Sequence, residues 1–247
     1  MTGNTILKDV ILAIILFLYP FMLLVLSKGL SGAGVRKDGQ RKFVHAGMGL
    51  VILIIPWFTH LWIALMPPVL FTLINLIDYR FGWFSQIQGE DAGNVGTVLY
   101  PISYIVLMLI FFHTKWWGLA VLGVFAMAFG DAGASIIGRT YGKTQYTIDG
   151  EVRSVEGSIA MFAITFLVAF IVLFAYSSQL GISPRIITLF AASFFISGAA
   201  TIIEALSLKG SDNITVPVLT ALVSWGLIAL AIPNVLGTQT IVNQPLY

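Results

Sequence analysis

Long stretches without a charged side chain constrain this chain more than any other feature. Residues 10–27, 43–77, 96–114, 157–184 and 213–247 contain no Asp, Glu, Lys or Arg. A helical bilayer crossing takes about 20 consecutive apolar residues, and runs this continuous read as helical crossings. The strands of a membrane barrel would alternate apolar with polar residues. Of 247 residues, 58% are hydrophobic and 10% are charged, whereas soluble domains carry roughly 25% charged residues. The expectation is an all-α, polytopic membrane protein, a bundle of about 7–8 transmembrane helices in one domain over residues 1–247. The chain has no cysteine, which excludes disulfides, thiolate metal sites and a cysteine nucleophile. Its net charge of +2, with no long basic tract, gives no footprint for nucleic acid.

The spans read as 10–27, 43–58, 61–78, 96–113, 116–138, 157–176, 186–206 and 215–235. The second is short and joins the third through Trp57–Trp62, so a re-entrant hairpin with seven crossings is the alternative. On the eight-span reading, ten Lys and Arg fall on one side: Lys28, Arg36, Lys37, Arg41, Lys42, Arg80, Arg139, Lys143, Arg153 and Lys209. Only Lys8, Lys115 and Arg185 fall on the other. The positive-inside bias then puts both termini outside and the loops 28–42, 79–95, 139–156 and 207–214 at the cytoplasmic face.

Four segments on that side are too polar for topology alone to explain. In the first, Arg41, Lys42 and His45 share one helix face at the start of the second span. A helix start also offers free N–H groups and partial positive charge to a phosphate. Arg and Lys there also enforce topology, but topology does not ask for an imidazole. In the second segment, Gly130 to Lys143, Asp131 lies roughly 10 Å inside its span at 1.5 Å per residue. An ionisable group at that depth is a functional hypothesis by default. Ser135 and Arg139 follow it at steps of four, and the Gly and Ala between permit close approach by a helix or a ligand. The spacing Gly138, Gly142, Lys143 is not a nucleotide P-loop, which needs four residues between its glycines and a strand before them.

The third segment is Arg153-Ser154-Val155-Glu156-Gly157-Ser158. Ser154 suits a helix cap and Glu156 suits the first turn of the sixth span. The fourth runs from Glu204 to Pro217. Capping accounts for Asp212 or Asn213, but not for Glu204, which sits inside its span. Helix starts and basic residues thus converge with Asp131 and Glu204 at one face. Carboxylates beside bound phosphates need a divalent cation between them, and oxygen-only ligands favour Mg²⁺ or Ca²⁺. The expected ligand is a polyphosphate held with metal at the membrane surface, its partner coming from the lipid.

These segments resemble the CTP-dependent polyprenol kinase family: phytol kinases, dolichol kinases and CTP-dependent diacylglycerol kinases. The strings that carry the resemblance are RKFVH (41–45), GTVLYPIS (96–103), GDAGASIIGRTYGK (130–143), RSVEGSIAMF (153–162) and EALSLKGSDNITVP (204–217). They stand in family order over nearly the whole chain after the first span, closest to the short phytol-kinase-like members. Arg153 stands where the family commonly has Lys. The resemblance implies a lipid kinase moving the γ-phosphate of CTP to an isoprenoid alcohol such as phytol, geranylgeraniol or a polyprenol. Asp131 and Glu204 would then serve metal and catalysis, with His45 as a second proton acceptor. Arg41, Lys42, Ser135, Gly138, Arg139, Gly142, Lys143, Arg153, Ser154, Glu156, Gly157, Ser158, Asp212 and Asn213 would surround the nucleotide and its phosphates. No plastid transit segment is read, so the expected location is the cell membrane. The alternatives are a diacylglycerol kinase, a phosphatidate cytidylyltransferase-like enzyme and, from another class, an ion-coupled transporter. The KD-x(2–3)-H-G-G-type element usual in the cytidylyltransferases is absent, and the paired halves of transporters are not seen.

Overall fold

The structure is a computed structural model and describes residues 2–32, 34–81, 95–182 and 185–231. Most of the expected loop 79–95, and the chain beyond 231, lie outside the described residues. Eight main helices account for nearly all of it. They are α1 (Thr2–Gly32), α2 (Lys37–Gly49), α3 (Leu61–Phe81, with a break at Leu65), α4 (Gly96–Phe111), α5 (Trp117–Tyr141), α6 (Val155–Ala175), α7 (Ile186–Leu206) and α8 (Asp212–Ala231). Among the described residues six of these, α1, α3, α5, α6, α7 and α8, are long and apolar enough to cross a membrane, and α4 is a shorter apolar helix. The protein is a polytopic helical membrane bundle.

The second expected span, 43–58, is not one α-helix. The α-helical ladder of α2 stops at Gly49, and tight 3₁₀ turns follow over Leu50–Leu53 and Ile55–Trp57. The sequence there is Val51-Ile52-Leu53-Ile54-Ile55-Pro56. Its β-branched residues crowd a helical turn, and Pro56 can supply no N–H. The following loop is tied down by α1. Asp9, fully buried, accepts the backbone N–H groups of Thr59 (3.0 Å) and His60 (2.8 Å), and lies 2.8 Å from His60 Nδ1. His113 Nε2 donates to the Phe58 carbonyl (2.8 Å) from the other side.

Helix α5 is the axis of the bundle. Two thirds (67%) of its apolar window is buried inside the protein, against 17–33% for the other five spans. It packs on α6, α8 and the turns after α2, while α7 lies against α6 and α8. Small residues set these approaches, as membrane helix packing requires. A Cβ at Gly123 would fall on the carbonyl oxygen of Pro217, so α8 passes close enough there that only glycine fits. Midway along α5, residues Ala126–Asp131 form a π-helical turn, a widening that re-phases the helix and recurs at functional sites.

One departure from an all-α reading is a small antiparallel hairpin between α5 and α6, β1 (Gln145–Ile148) and β2 (Glu151–Ser154). Its turn places Asp149 and Gly150 at positive φ (48° and 84°), the conformation that Asp-Gly favours in two-residue hairpin loops. That dipeptide was the sequence signal for the hairpin.

The Gly123 contact gives a stability test. Gly123→Ala should lower the melting temperature in detergent by several degrees, the usual response to about 1–3 kcal/mol of overpacking. Gly226→Ala, with no atom within 4 Å of the new methyl, should not. Equal melting temperatures for the two variants would contradict the packing described.

Candidate functional site

Two cation–carboxylate pairs lie at the end of the bundle opposite Asp9. Lys42, in the second turn of α2, donates to Asp131 Oδ2 at 2.8 Å, and the two side chains are only 13% and 12% exposed. Asp131 is the last residue of the π turn, about 15 Å from the end of α5 at 1.5 Å per residue. The second pair joins Arg153 of β2 to Glu204 of α7 through Nη1 and Oε1, and Arg153 Nη2 also donates to the Ser207 carbonyl (2.6 Å). The two pairs are neighbours in the fold: Ser154, next to Arg153, packs on Gly138 of α5, two turns beyond Asp131.

His45 lies on the same face of α2, one turn beyond Lys42. Its ring stacks on Tyr100 of α4 (centroids 4.5 Å apart), and the Tyr100 hydroxyl donates to the His45 carbonyl at 3.3 Å. Tyr104 continues the column, donating to the Met48 carbonyl (2.8 Å). Among the described residues, five buried side-chain polar atoms have no hydrogen-bond partner, and two belong to this cluster: His45 Nε2 and Arg153 Nε. Buried polar atoms left unsatisfied are uncommon in native proteins. Two of them, His45 Nε2 and Arg153 Nε, lie on residues next to or within the ion pairs.

The other expected residues divide into structure and rim. Ser154 caps α6, its hydroxyl accepting the Gly157 N–H at 3.1 Å. Gly138, Gly142 and Gly157 let α5 and α6 approach: a Cβ at Gly138 would meet Ser154 Oγ at 2.9 Å, and one at Gly157 would meet the Ala134 carbonyl at 3.0 Å. Glu156 accepts the Thr144 N–H (3.2 Å) and is drawn electrostatically to Lys143, fastening the strand that follows α5 to the start of α6. Asp212 accepts both the backbone and side-chain N–H groups of Asn213 (2.9 and 2.8 Å) in the first turn of α8. Ser158 contacts the Tyr146 hydroxyl at 2.6 Å. Ser135 is half-buried one turn beyond Asp131, whereas Arg139 and Lys143 are exposed further out. Arg41, half-buried, adds its charge near His45. Tyr100 and Ser207 stand inside strings quoted for the resemblance but were not singled out, because a tyrosine or serine there carries no spacing signal of its own, and Tyr146, in the polar hairpin, was not read at all.

The described residues contain no group of three or more His, Cys, Asp or Glu that forms a complete metal cage. The donor set still suits a hard divalent ion. Asp131 is engaged through Oδ2 and Glu204 through Oε1, so each keeps one carboxylate oxygen without a hydrogen-bond partner among the described residues. Mg²⁺ is commonly held by one or two carboxylates together with substrate phosphates.

Fold and site together define a polytopic membrane protein with a mostly buried, ion-paired acidic centre near one end of its helices. The comparisons with known proteins are specific. A phytol kinase from Synechocystis sp. is 31% identical over 186 residues, covering 75% of this chain and 77% of the relative. A probable chloroplastic phytol kinase 1 from Glycine max is 30% identical over 75% of this chain and 66% of its own length. A probable chloroplastic phytol kinase from Zea mays is 30% identical over 57% of this chain and 45% of its own. No family model matches, and no solved structure matches. The chain belongs to the phytol-kinase-like polyprenol kinases.

Energetic coupling across the first pair is measurable. Lys42→Met and Asp131→Asn should each destabilise the protein, because each strands a mostly buried charged or polar group. The double variant should lose less than the sum, by about 0.5–3 kcal/mol. Strict additivity in thermal unfolding would mean that the two side chains do not interact.

Proposed function

We propose that this protein is a membrane kinase that transfers the γ-phosphate of CTP to the hydroxyl of an isoprenoid alcohol, phytol or a relative of it, at the cytoplasmic face. The observation that carries the reading is the clustering of both ion pairs and two unsatisfied buried polar atoms in a chain similar to proteins named phytol kinase. CTP as the donor, in place of another nucleotide, follows from the family resemblance of the sequence motifs.

Phosphoryl transfer depends mostly on positioning and on neutralising phosphate charge. Lys42 and Arg153 are cations already held in place by their partners, and phosphate oxygens would compete with Asp131 and Glu204 for their N–H groups. Arg139 and Lys143, exposed at the rim, attract the triphosphate from solution. A divalent ion would be held by the free oxygen of Asp131, and by that of Glu204 only where His45 takes the proton, and would offset the repulsion between carboxylate and phosphate. In the reaction the alcohol oxygen bonds to the γ-phosphorus as the bond from that phosphorus to the β,γ-bridging oxygen breaks, and CDP leaves. The hydroxyl proton passes to an acceptor within hydrogen-bond reach. Glu204 and His45 Nε2 are the acceptors this cluster offers.

Purified protein given Mg²⁺, phytol and CTP labelled at either the α or the γ phosphate tests the reading. Label in the extracted lipid should come from the γ position only, and α label there would instead mean cytidylyl transfer. Asp131→Asn should abolish Mg²⁺-dependent CTP binding, and binding at wild-type strength would reduce Asp131 to a structural role. Glu204→Gln should lower kcat by about 10²-fold or more, the usual contribution of a general base, with a smaller change in CTP affinity. Unchanged kcat would leave His45 as the acceptor.

A further inference from the structure

A groove of about 400 Å³ runs between α6 and α7, beside the ion-paired centre. Its walls are Ile159 and Phe162 of α6 and Thr201, Ile202 and Ala205 of α7, with Tyr146 of the hairpin at one end. Ile159 and Ile202 are 62% and 60% exposed, so the groove opens sideways, toward the hydrocarbon of the bilayer. Beyond Phe162 the apolar track continues along the same helix pair. Phe162 packs edge-on against Phe194 (5.4 Å between centroids), and Phe166 against Phe190 (4.9 Å). The space beside Gly198 is open, a Cβ there reaching only Phe162, at 4.0 Å. From Ser158 to Phe166 the track is about 12 Å long at the helical rise.

The polar end of the groove is joined to the charged centre by the architecture itself. Tyr146 and Arg153 are direct cross-strand partners in the hairpin, so their side chains leave the same face. Tyr146 turns to the groove and meets Ser158 at 2.6 Å, while Arg153 reaches Glu204. On α7, Thr201 and Ala205 of the groove lie three residues before and one residue after Glu204. An amphiphile whose chain follows the Phe track therefore brings its head to the Tyr146–Ser158 hydroxyls, next to the Arg153–Glu204 pair.

We infer that the groove between α6 and α7 is the acceptor site: it holds the hydrocarbon chain of the isoprenoid alcohol and delivers the hydroxyl at the Tyr146–Ser158 edge. This rests on the kinase reading above. An unbranched or branched chain with a single hydroxyl fits a groove whose hydroxyl groups cluster at its charged end and whose track is otherwise apolar and aromatic.

The test uses the full chain in phosphatidylcholine nanodiscs and phytol carrying a diazirine on its hydrocarbon chain. After photolysis, mass spectrometry of peptides should place the label within residues 155–166 and 190–205, and excess unlabelled phytol should displace it. Label elsewhere overturns the inference. So does label in the groove that excess phytol cannot displace, since bulk lipid would then be its occupant. In parallel, Ala205→Phe should raise KM for phytol about tenfold, the loss of about two buried methylene equivalents, with KM for CTP unchanged. A wild-type protein that phosphorylates no isoprenoid alcohol defeats the kinase reading. An active wild-type whose Ala205→Phe variant keeps its phytol KM defeats the groove alone.

Discussion

The structure turns on two mostly buried bonds between opposite charges, Lys42 to Asp131 and Arg153 to Glu204. In a bundle whose exterior is hydrocarbon, an unpaired ion at this depth is costly. Pairing removes most of that cost and also dictates geometry. Each of the four residues comes from a different element, namely α2, the π turn of α5, the hairpin and α7. Satisfying their charges therefore fixes the start of α2 against the middle of α5, and the hairpin against the end of α7. The glycines at 138, 142 and 157 allow the α5–α6 approach that brings the hairpin within reach.

Pairs of this kind add little net stability compared with well-packed apolar residues, because desolvation offsets most of the attraction. Their presence calls for another explanation. The triphosphate site proposed above would have to be charged when a ligand is bound and tolerable inside a membrane protein when it is not. Cations held by carboxylates meet both conditions, since the same side chains that neutralise one another can turn to phosphate and metal. His45 Nε2 and Arg153 Nε, buried without partners, give the cluster hydrogen-bonding capacity that the protein alone leaves unused. The groove between α6 and α7 supplies the second requirement of a lipid-modifying enzyme, a route by which an alcohol reaches that charge without leaving the bilayer.

Much of this was legible before the fold was known. The spans read as 157–176 and 186–206 match α6 (Val155–Ala175) and α7 (Ile186–Leu206) to within two residues, and Asp131 and Glu204 stand out because no cap or topology rule explains them. Ser154 reads as a cap and is one. Other features were not legible, for definite reasons. Pairing between Lys42 and Asp131 spans 89 residues, and helical spacing speaks only about neighbours a few residues apart. The π turn before Asp131 leaves no compositional trace in Ala-Met-Ala-Phe-Gly. The end of α2 at Gly49 depends on the competition between a β-branched run, Pro56 and packing on Ala128. Asp9, one residue outside the span read as 10–27, was not singled out in the sequence, yet it is wholly buried and holds the turn at Thr59 and His60.

On the proposed reading the paired charges act on substrate and do not merely hold helices together. Exchanging one pair, Lys42→Asp with Asp131→Lys, separates these roles because it keeps the attraction and reverses its polarity. Thermal unfolding in detergent and γ-phosphate transfer from CTP to phytol would be measured on the same preparation. The account predicts a melting temperature closer to wild type than that of either single variant, with phosphate transfer lost. Recovery of transfer together with stability would contradict it, and the pair would be structural.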